Sequence, residues 1–193
     1  TLLDHARLRF DGADVSALNS RLAAAPERSD AVPLLVNQGA SFRGVMIYGN
    51  GFALSHDERD TLLQRDRRNA LRIHPYLGGQ EVNSSPTQAY ERYVIDFGDA
   101  PLHEAEEWTD LIHVVRTMVK PERDKLPPKN SVNADRRTRW WQFAGRSPEM
   151  LAAIRPLERC LVTSQVSKHL MFSFQPTDRV FSHKLFVFPL PAY

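Results

Sequence analysis

The chain has 193 residues with a formal net charge of +2 and 42% hydrophobic residues, enough to bury the core of one domain, or of a domain with a small appendage. No apolar run approaches the roughly 18–20 residues that a spanning helix needs, which excludes an integral membrane protein. Cys160 is the one cysteine, so a disulfide framework is excluded, which points to a reducing compartment or simply to no redox role; a cytoplasmic setting is expected.

From the first residue, Thr1, no charged-then-apolar leader follows, and the chain reads as a piece of something longer. Ala6–Phe10 alternates polar and apolar residues and predicts a short strand; Asp14 or Ser16 then caps a short helix through Leu22. Pro26–Asp30 is a polar, breaking linker. Phe42–Gly49 has strand composition, Gly49-Asn50-Gly51 is a turn signal, and Ser55-His56-Asp57-Glu58 matches the S-x-x-E capping box of a helix that turns Leu62 and Leu63 inward. Pro75 and Gly78-Gly79 end that segment, and Tyr93–Phe97 reads as a strand.

The clearest helix is Glu104–Val119, where Trp108, Leu111, Ile112, Val115, Met118 and Val119 recur at three- and four-residue spacing. Pro127-Pro128 must end it, and a long polar loop, Pro128–Arg139, follows. Pro148–Leu157 is a shorter helix with Ser147 as its cap. Cys160–Gln165, Leu170–Phe174 and Lys184–Phe188 are late strands. This order predicts a mixed α/β, α+β domain with hairpins, one long amphipathic helix and no internal repeat.

The small net charge hides an asymmetry. Residues 1–110 carry 11 basic and 17 acidic side chains, a balance of −6, while residues 111–193 carry 14 and 6, a balance of +8. A basic half on a nearly neutral chain is the footprint expected for phosphate backbones, because each neutralised phosphate releases counterions. The same pattern also suits a basic face that balances the acidic half within one fold.

The motifs of several chemistries are missing. There is no G-x-x-x-x-G-K-[ST], G-x-G-x-x-G or G-x-S-x-G, and the seven His are scattered. Glu122 and Asp124, in Pro121-Glu122-Arg123-Asp124-Lys125, superficially resemble a metal-dependent nuclease tail, but the run lies in a helical, basic context and reads as a solvated helix end.

Three segments have binding chemistry. Asn133–Arg139 holds Asn133, Asp135, Arg136, Arg137, Thr138 and Arg139, a mixed set of donors and acceptors suited to base edges. It precedes Trp140-Trp141-Gln142-Phe143, whose tryptophans read as core anchors rather than base-stacking platforms. Lys120, Arg123, Lys125 and Lys129 suit phosphate contacts, or simply the negative end of a helix dipole. Ser164, Gln165, Ser167, Lys168, His169 and Leu170 join two strands with groups able to bond bases.

Taken in order, Asn37–Gly44, Tyr48–Leu54, Ile73–Asn83, Arg92–Phe97, Val119–Asp124, Trp140–Phe143 and Val166–His169 resemble the target recognition domain of MmeI-like (type IIL) restriction–modification enzymes. Such enzymes are single chains that join a nuclease, a helical spacer, an adenine-N6 DNA methyltransferase and a recognition domain. The resemblance covers about residues 35–188 and implies a recognition domain over residues 35–193, while residues 1–34 resemble the connector from an upstream methyltransferase. It implies a DNA-recognition domain of a bacterial defence enzyme, with double-stranded DNA and the methyltransferase domain of its own chain as partners. Base reading would fall to Asn133–Arg139 and Ser164–Leu170, phosphate contact to Lys120, Arg123, Lys125 and Lys129, and no residue would be catalytic.

The methyltransferase signatures N-P-P-[YF] and F-x-G-x-G are missing, and Leu126-Pro127-Pro128-Lys129 is no substitute. S-adenosylmethionine, and Mg2+ where a nuclease is present, are therefore expected in the parent enzyme and not in this chain. The competing expectation is a protein–protein module whose basic surface docks an acidic partner.

Overall fold

The computed structural model describes residues 8–190, which divide after Gln38 into two units. In the first, β1 (Arg9–Phe10) and β2 (Ala13–Asp14) form an antiparallel hairpin, with Arg9 opposite Asp14 and Phe10 opposite Ala13. Asp11 and Gly12 between them have φ of 48° and 80°, the positive values that a two-residue type I′ turn requires. Of the strand expected at Ala6–Phe10, Ala6 and Arg7 lie outside the described residues. The helix expected from Asp14 or Ser16 to Leu22 does not form; the Asn19 side chain instead accepts the backbone N–H groups of Arg21 and Ala23, closing a turn.

The second unit, a mixed α+β domain, holds two four-stranded sheets. One has the order β3 (Phe42–Arg43), β10 (Leu185–Phe188), β7 (Arg159–Ser164), β8 (Ser173–Pro176), all antiparallel. The other runs β4 (Ala53–Leu54), β6 (Arg92–Ile95), β5 (Ile73–Leu77), β9 (Val180–Phe181), antiparallel except for β5 with β9. Chain continuity ties the sheets together: β9 leads through Ser182 and His183 into β10, while Val45 bridges to Ser182 beside them. Gly44 lies so close to this crossing that a Cβ would meet the Ser182 carbonyl oxygen at 2.2 Å.

Helix α1 (His56–Arg65) starts with the expected box: Ser55 Oγ accepts the Glu58 N–H, and Glu58 accepts the Ser55 N–H at 2.8 Å. Leu62 is buried and Leu63 packs against the core. Pro75 does not end a segment; it lies inside β5 opposite Tyr93, where β9 has not yet joined and one side of the strand lacks a neighbour. Gly79 likewise opens a helix, α2 (Gly79–Ser84), and does not stop one.

The helix expected at Glu104–Val119 breaks in two, α3 (Leu102–Ala105) and α4 (Thr109–Met118), with Trp108 at the junction. Glu104, Glu106 and Glu107 would repel one another along a continuous turn, and the break sets Asp110 in the first turn of α4, where the dipole favours it. The apolar stripe persists across it: Ala105, Leu111, Ile112, Val115 and Val119 are buried. Lys120 and Pro121 then begin a new turn, α5 (Lys120–Asp124).

The segment expected to be a loop is α6 (Ser131–Thr138), capped by Asn130, whose side chain accepts the Asn133 N–H at 2.8 Å. No residue of α6 is buried, so no apolar stripe announces it. Trp140, Trp141 and Phe143 are core anchors, and Trp141 Nε1 donates to the Ala100 carbonyl. Helix α7 (Pro148–Ile154) follows Ser147, but that residue has φ 50° and its hydroxyl donates to the Arg43 carbonyl instead of capping. Cys160 is fully buried in β7, and burial pushes its thiol up to about 12.

Leu111 has no exposed surface at the centre of this core. Leu111→Ala is expected to lower unfolding free energy by about 2–5 kcal/mol, transfer plus cavity, in chemical denaturation. Ser55→Ala removes the side-chain cap of an exposed helix end and is expected to cost about 1 kcal/mol in the same measurement.

Candidate functional site

The candidate reading segments sit on two different supports. The first, now α6 and its C-terminus, lies over a buried guanidinium. Arg123, 1% exposed, donates from Nε and Nη2 to the Tyr48 carbonyl at 3.2 and 2.9 Å and from Nη2 to the Ile47 carbonyl at 3.0 Å. Its Nη1 donates to the carbonyls of Arg139 and Arg136 at 3.1 and 3.4 Å, and its plane lies 5.3 Å from the Phe52 ring centroid. Burial, with repulsion from Arg136 second, lowers its pKa to about 10, so the group remains a cation at neutral pH.

Arg123 therefore is not available to a phosphate, contrary to the expectation from sequence. It fastens α5, the Ile47–Tyr48 segment and the end of α6 to one another. The other cations of that set keep their heads outside: Lys125 and Lys129 are exposed, and Lys120, half-buried, pairs with Asp124 at 2.7 Å. That pair also ties up one carboxylate of the nuclease-like run. Among the described residues no group of three or more His, Cys, Asp or Glu comes together in a way that would hold a metal.

Along α6, Asn133 bonds back to the Pro127 carbonyl at 3.0 Å, and Thr138 Oγ1 donates to the Ala134 carbonyl. Asp135 is taken by Arg139 through an i,i+4 ion pair, whose Nε bond is 2.7 Å. Arg136 has its guanidinium 4.7 Å from the Tyr48 ring centroid and Nη2 3.6 Å from Met46 Sδ. Arg137 is half-buried.

The second segment is the connection between β7 and β8. Gln165, Ser167, Lys168, His169 and Leu170 are all exposed, with Leu170 at 86%. Leu170 was expected to begin a strand; β8 begins at Ser173, and before it Leu170 and Phe172 are exposed while Met171 packs against the core. Asn83 of α2 anchors the start of the connection, donating from Nδ2 to Ser164 Oγ at 3.1 Å and to the Val166 carbonyl at 2.9 Å. Ser167 Oγ donates to the His169 carbonyl and shapes the tip.

A groove runs between the two supports. One part, about 370 Å3, is lined by Tyr48, Gly78, Arg92, His183 and Lys184 among others; the next, about 250 Å3, by Asn83, Ser164 and Val166. Gly79, Gln80 and Lys184 line both. At Gly79 a Cβ would stand 2.8 Å from Ser164 Oγ, so the backbone itself forms the shared wall. No carboxylate lines either part; Glu81 is buried behind it, held by the Gly78 N–H and by Arg92. His183 lines the first part with its pKa lowered, first by burial and then by Lys184 and Arg43. The sequence assigned no binding role to Met46, Tyr48, Gly79 or Asn83, although Tyr48, Gly79 and Asn83 lie within the segments that carry the family resemblance.

No protein-family model and no curated protein matches the chain. Among solved structures it is similar to the type IIL restriction–modification enzyme MmeI, solved in complex with DNA, with a TM-score of 0.64 at 12% sequence identity. The similarity covers 92% of this chain and 23% of the MmeI chain, so the chain spans less than a quarter of that protein's length. At this identity the likeness is one of fold: an α+β arrangement that also occurs within a restriction–modification enzyme.

Removal of the buried cation tests the latch. Arg123→Ala takes a donor from four carbonyls, of which that of Arg139 keeps the Gln142 N–H, and is expected to cost about 2–5 kcal/mol in chemical denaturation. Arg123→Lys is expected to be nearly as damaging, because an ammonium cannot span the guanidinium's fork.

Proposed function

We propose that the chain is the sequence-specific, double-stranded DNA recognition domain of a type II restriction–modification enzyme, an adenine-N6 methyltransferase. In this reading it contacts base edges in the major groove through α6 and the β7–β8 connection, and leaves catalysis to other parts of the parent chain. The observation that carries the reading is the carboxylate-free groove that runs from Tyr48, whose ring carries Arg136 of α6 on it, to Ser164 and Val166 at the β7–β8 connection. The fold likeness to part of an enzyme solved with DNA supports it.

The division of labour follows from chemistry. Arg136, Arg137, Lys168, Gln165, Ser167 and His169 supply donors and acceptors that discriminate bases; Lys125 and Lys129, with Lys120 in part, supply charge that positions without specifying. S-adenosylmethionine belongs to the methyltransferase domain of the parent chain, and residues 1–34 connect to it. The groove, lined by Lys184 and Arg92 and by no carboxylate, does not suit Mg2+, which would belong to a nuclease elsewhere in the parent.

The test is methylation of a plasmid by the parent chain, read as modified adenines by sequencing. A single short motif is expected, and exchange of residues 133–139 or 164–170 is expected to change it. A motif indifferent to both exchanges overturns the reading and favours the acidic-protein docking module. Lys125→Ala and Lys129→Ala are each expected to weaken binding to all sequences alike and to flatten the log–log salt slope by about 0.9.

A further inference from the structure

Tyr48 has φ 40°, the left-handed region that a bulky residue enters only when its surroundings compel it. Here the compulsion is visible. Arg123 holds the Tyr48 carbonyl from two nitrogens, and the next residue, Gly49, has φ 130° with space for no Cβ, since one would stand 2.8 Å from Val119 Cγ1. A buried cation and a glycine thus hold one tyrosine in a strained backbone state. Its ring lies against the guanidinium of Arg136, whose other neighbour is Met46 Sδ.

Arg136 is an unusual cation on this surface. It makes no ion pair among the described residues, since Asp135 is taken by Arg139 and Asp124 by Lys120. Its Nε is buried without a hydrogen-bond partner, and Arg123, whose pKa it helps to lower, carries the same sign. An arginine held against an aromatic ring and a thioether keeps its planar fork but has little freedom to swing, and no carboxylate among the described residues forms an ion pair with it.

We infer that Tyr48 and Met46 are positioning residues that hold the Arg136 guanidinium as a preformed planar donor for one base, a guanine offering O6 and N7. The inference rests on the DNA-reading proposal above. A fork fixed before binding loses less conformational entropy when it engages two acceptors, so the ring acts on discrimination at one base pair and not on general affinity.

The experiment uses the full parent enzyme and duplexes that carry its methylated motif, with 7-deazaguanine replacing one guanine at a time. Wild type is expected to lose about 5- to 150-fold in kcat/KM at one guanine, the equivalent of about 1–3 kcal/mol of discrimination. Arg136→Ala is expected to abolish that loss, Tyr48→Leu to shrink it below about threefold, and Tyr48→Phe, which keeps the ring, to preserve it. Full discrimination in a folded Tyr48→Leu enzyme, with Arg136→Ala insensitive, overturns the positioning role and leaves DNA reading intact. Should Tyr48→Leu melt early, Met46→Leu, which keeps bulk and removes the sulfur, is expected to reduce discrimination, and unchanged discrimination there overturns the role equally. A motif with no 7-deazaguanine-sensitive guanine also overturns it. A motif that ignores Arg136→Ala and both segment exchanges overturns the DNA-reading proposal itself.

Discussion

The surface of this domain depends on a charge that never reaches solvent. Arg123 is held by four main-chain carbonyls and the face of Phe52, and those carbonyls belong to two stretches of chain that no β-ladder joins, Ile47–Tyr48 and the end of α6. On the α6 side there is little to dock by the hydrophobic effect, since α6 has no buried residue, and on the other side Tyr48 faces an arginine although Ile47 packs against the core. A fork of N–H groups replaces that missing contact, because it satisfies several acceptors at once where one hydrogen bond would leave the rest bare. The cost is a desolvated cation, tolerable because its donors find oxygen.

The sequence was legible where a single physical cause dominates. The capping box at Ser55–Glu58, the apolar stripe of Leu111, Ile112 and Val115, the anchors Trp140 and Trp141, and the strands β7 and β10 each follow from one local rule. It misled where distant groups intervene. Helix α6 has no apolar stripe, its one large apolar residue, Val132, being exposed, so periodicity sees a loop; its cap at Asn130 and the cation beneath it decide otherwise. Pro75 signals an end until one knows that β9 joins only at Tyr76. Arg123 reads as one more surface base because nothing local distinguishes a buried arginine from an exposed one. The resemblance marked both candidate segments, but the groove between them, with Gly79 as its wall, emerges only when α2, β7 and the segment before β10 are brought together.

Charge also looks different in three dimensions. The acidic residues of the first half are largely absorbed locally: Glu58 in its box, Asp66 with Arg68, Glu81 with Arg92, Glu106 with Arg116. On the basic half Lys120 and Arg139 are likewise paired, whereas Lys168 and Lys184 form no ion pair among the described residues. The uneven balance along the chain therefore becomes, in the domain, a groove without carboxylates. Surface pairs of this kind contribute little to stability, so their main effect is on which charges remain to be felt by a partner.

The connection from Gln165 to Leu170 is fastened at one end by Asn83 and otherwise stands clear of the core, each of its six residues exposed. Folding therefore places almost no demand on which side chains occur there. Replacements along this stretch leave the unfolding equilibrium nearly where it was, within the roughly half a kilocalorie typical of surface changes. A protein close to its stability threshold can lose very few core residues before it fails, yet it can exchange this loop wholesale. Thermodynamic silence of that kind is a licence to diversify: the chemistry displayed at the tip can drift, be shuffled or be redesigned while the scaffold beneath it stays the same.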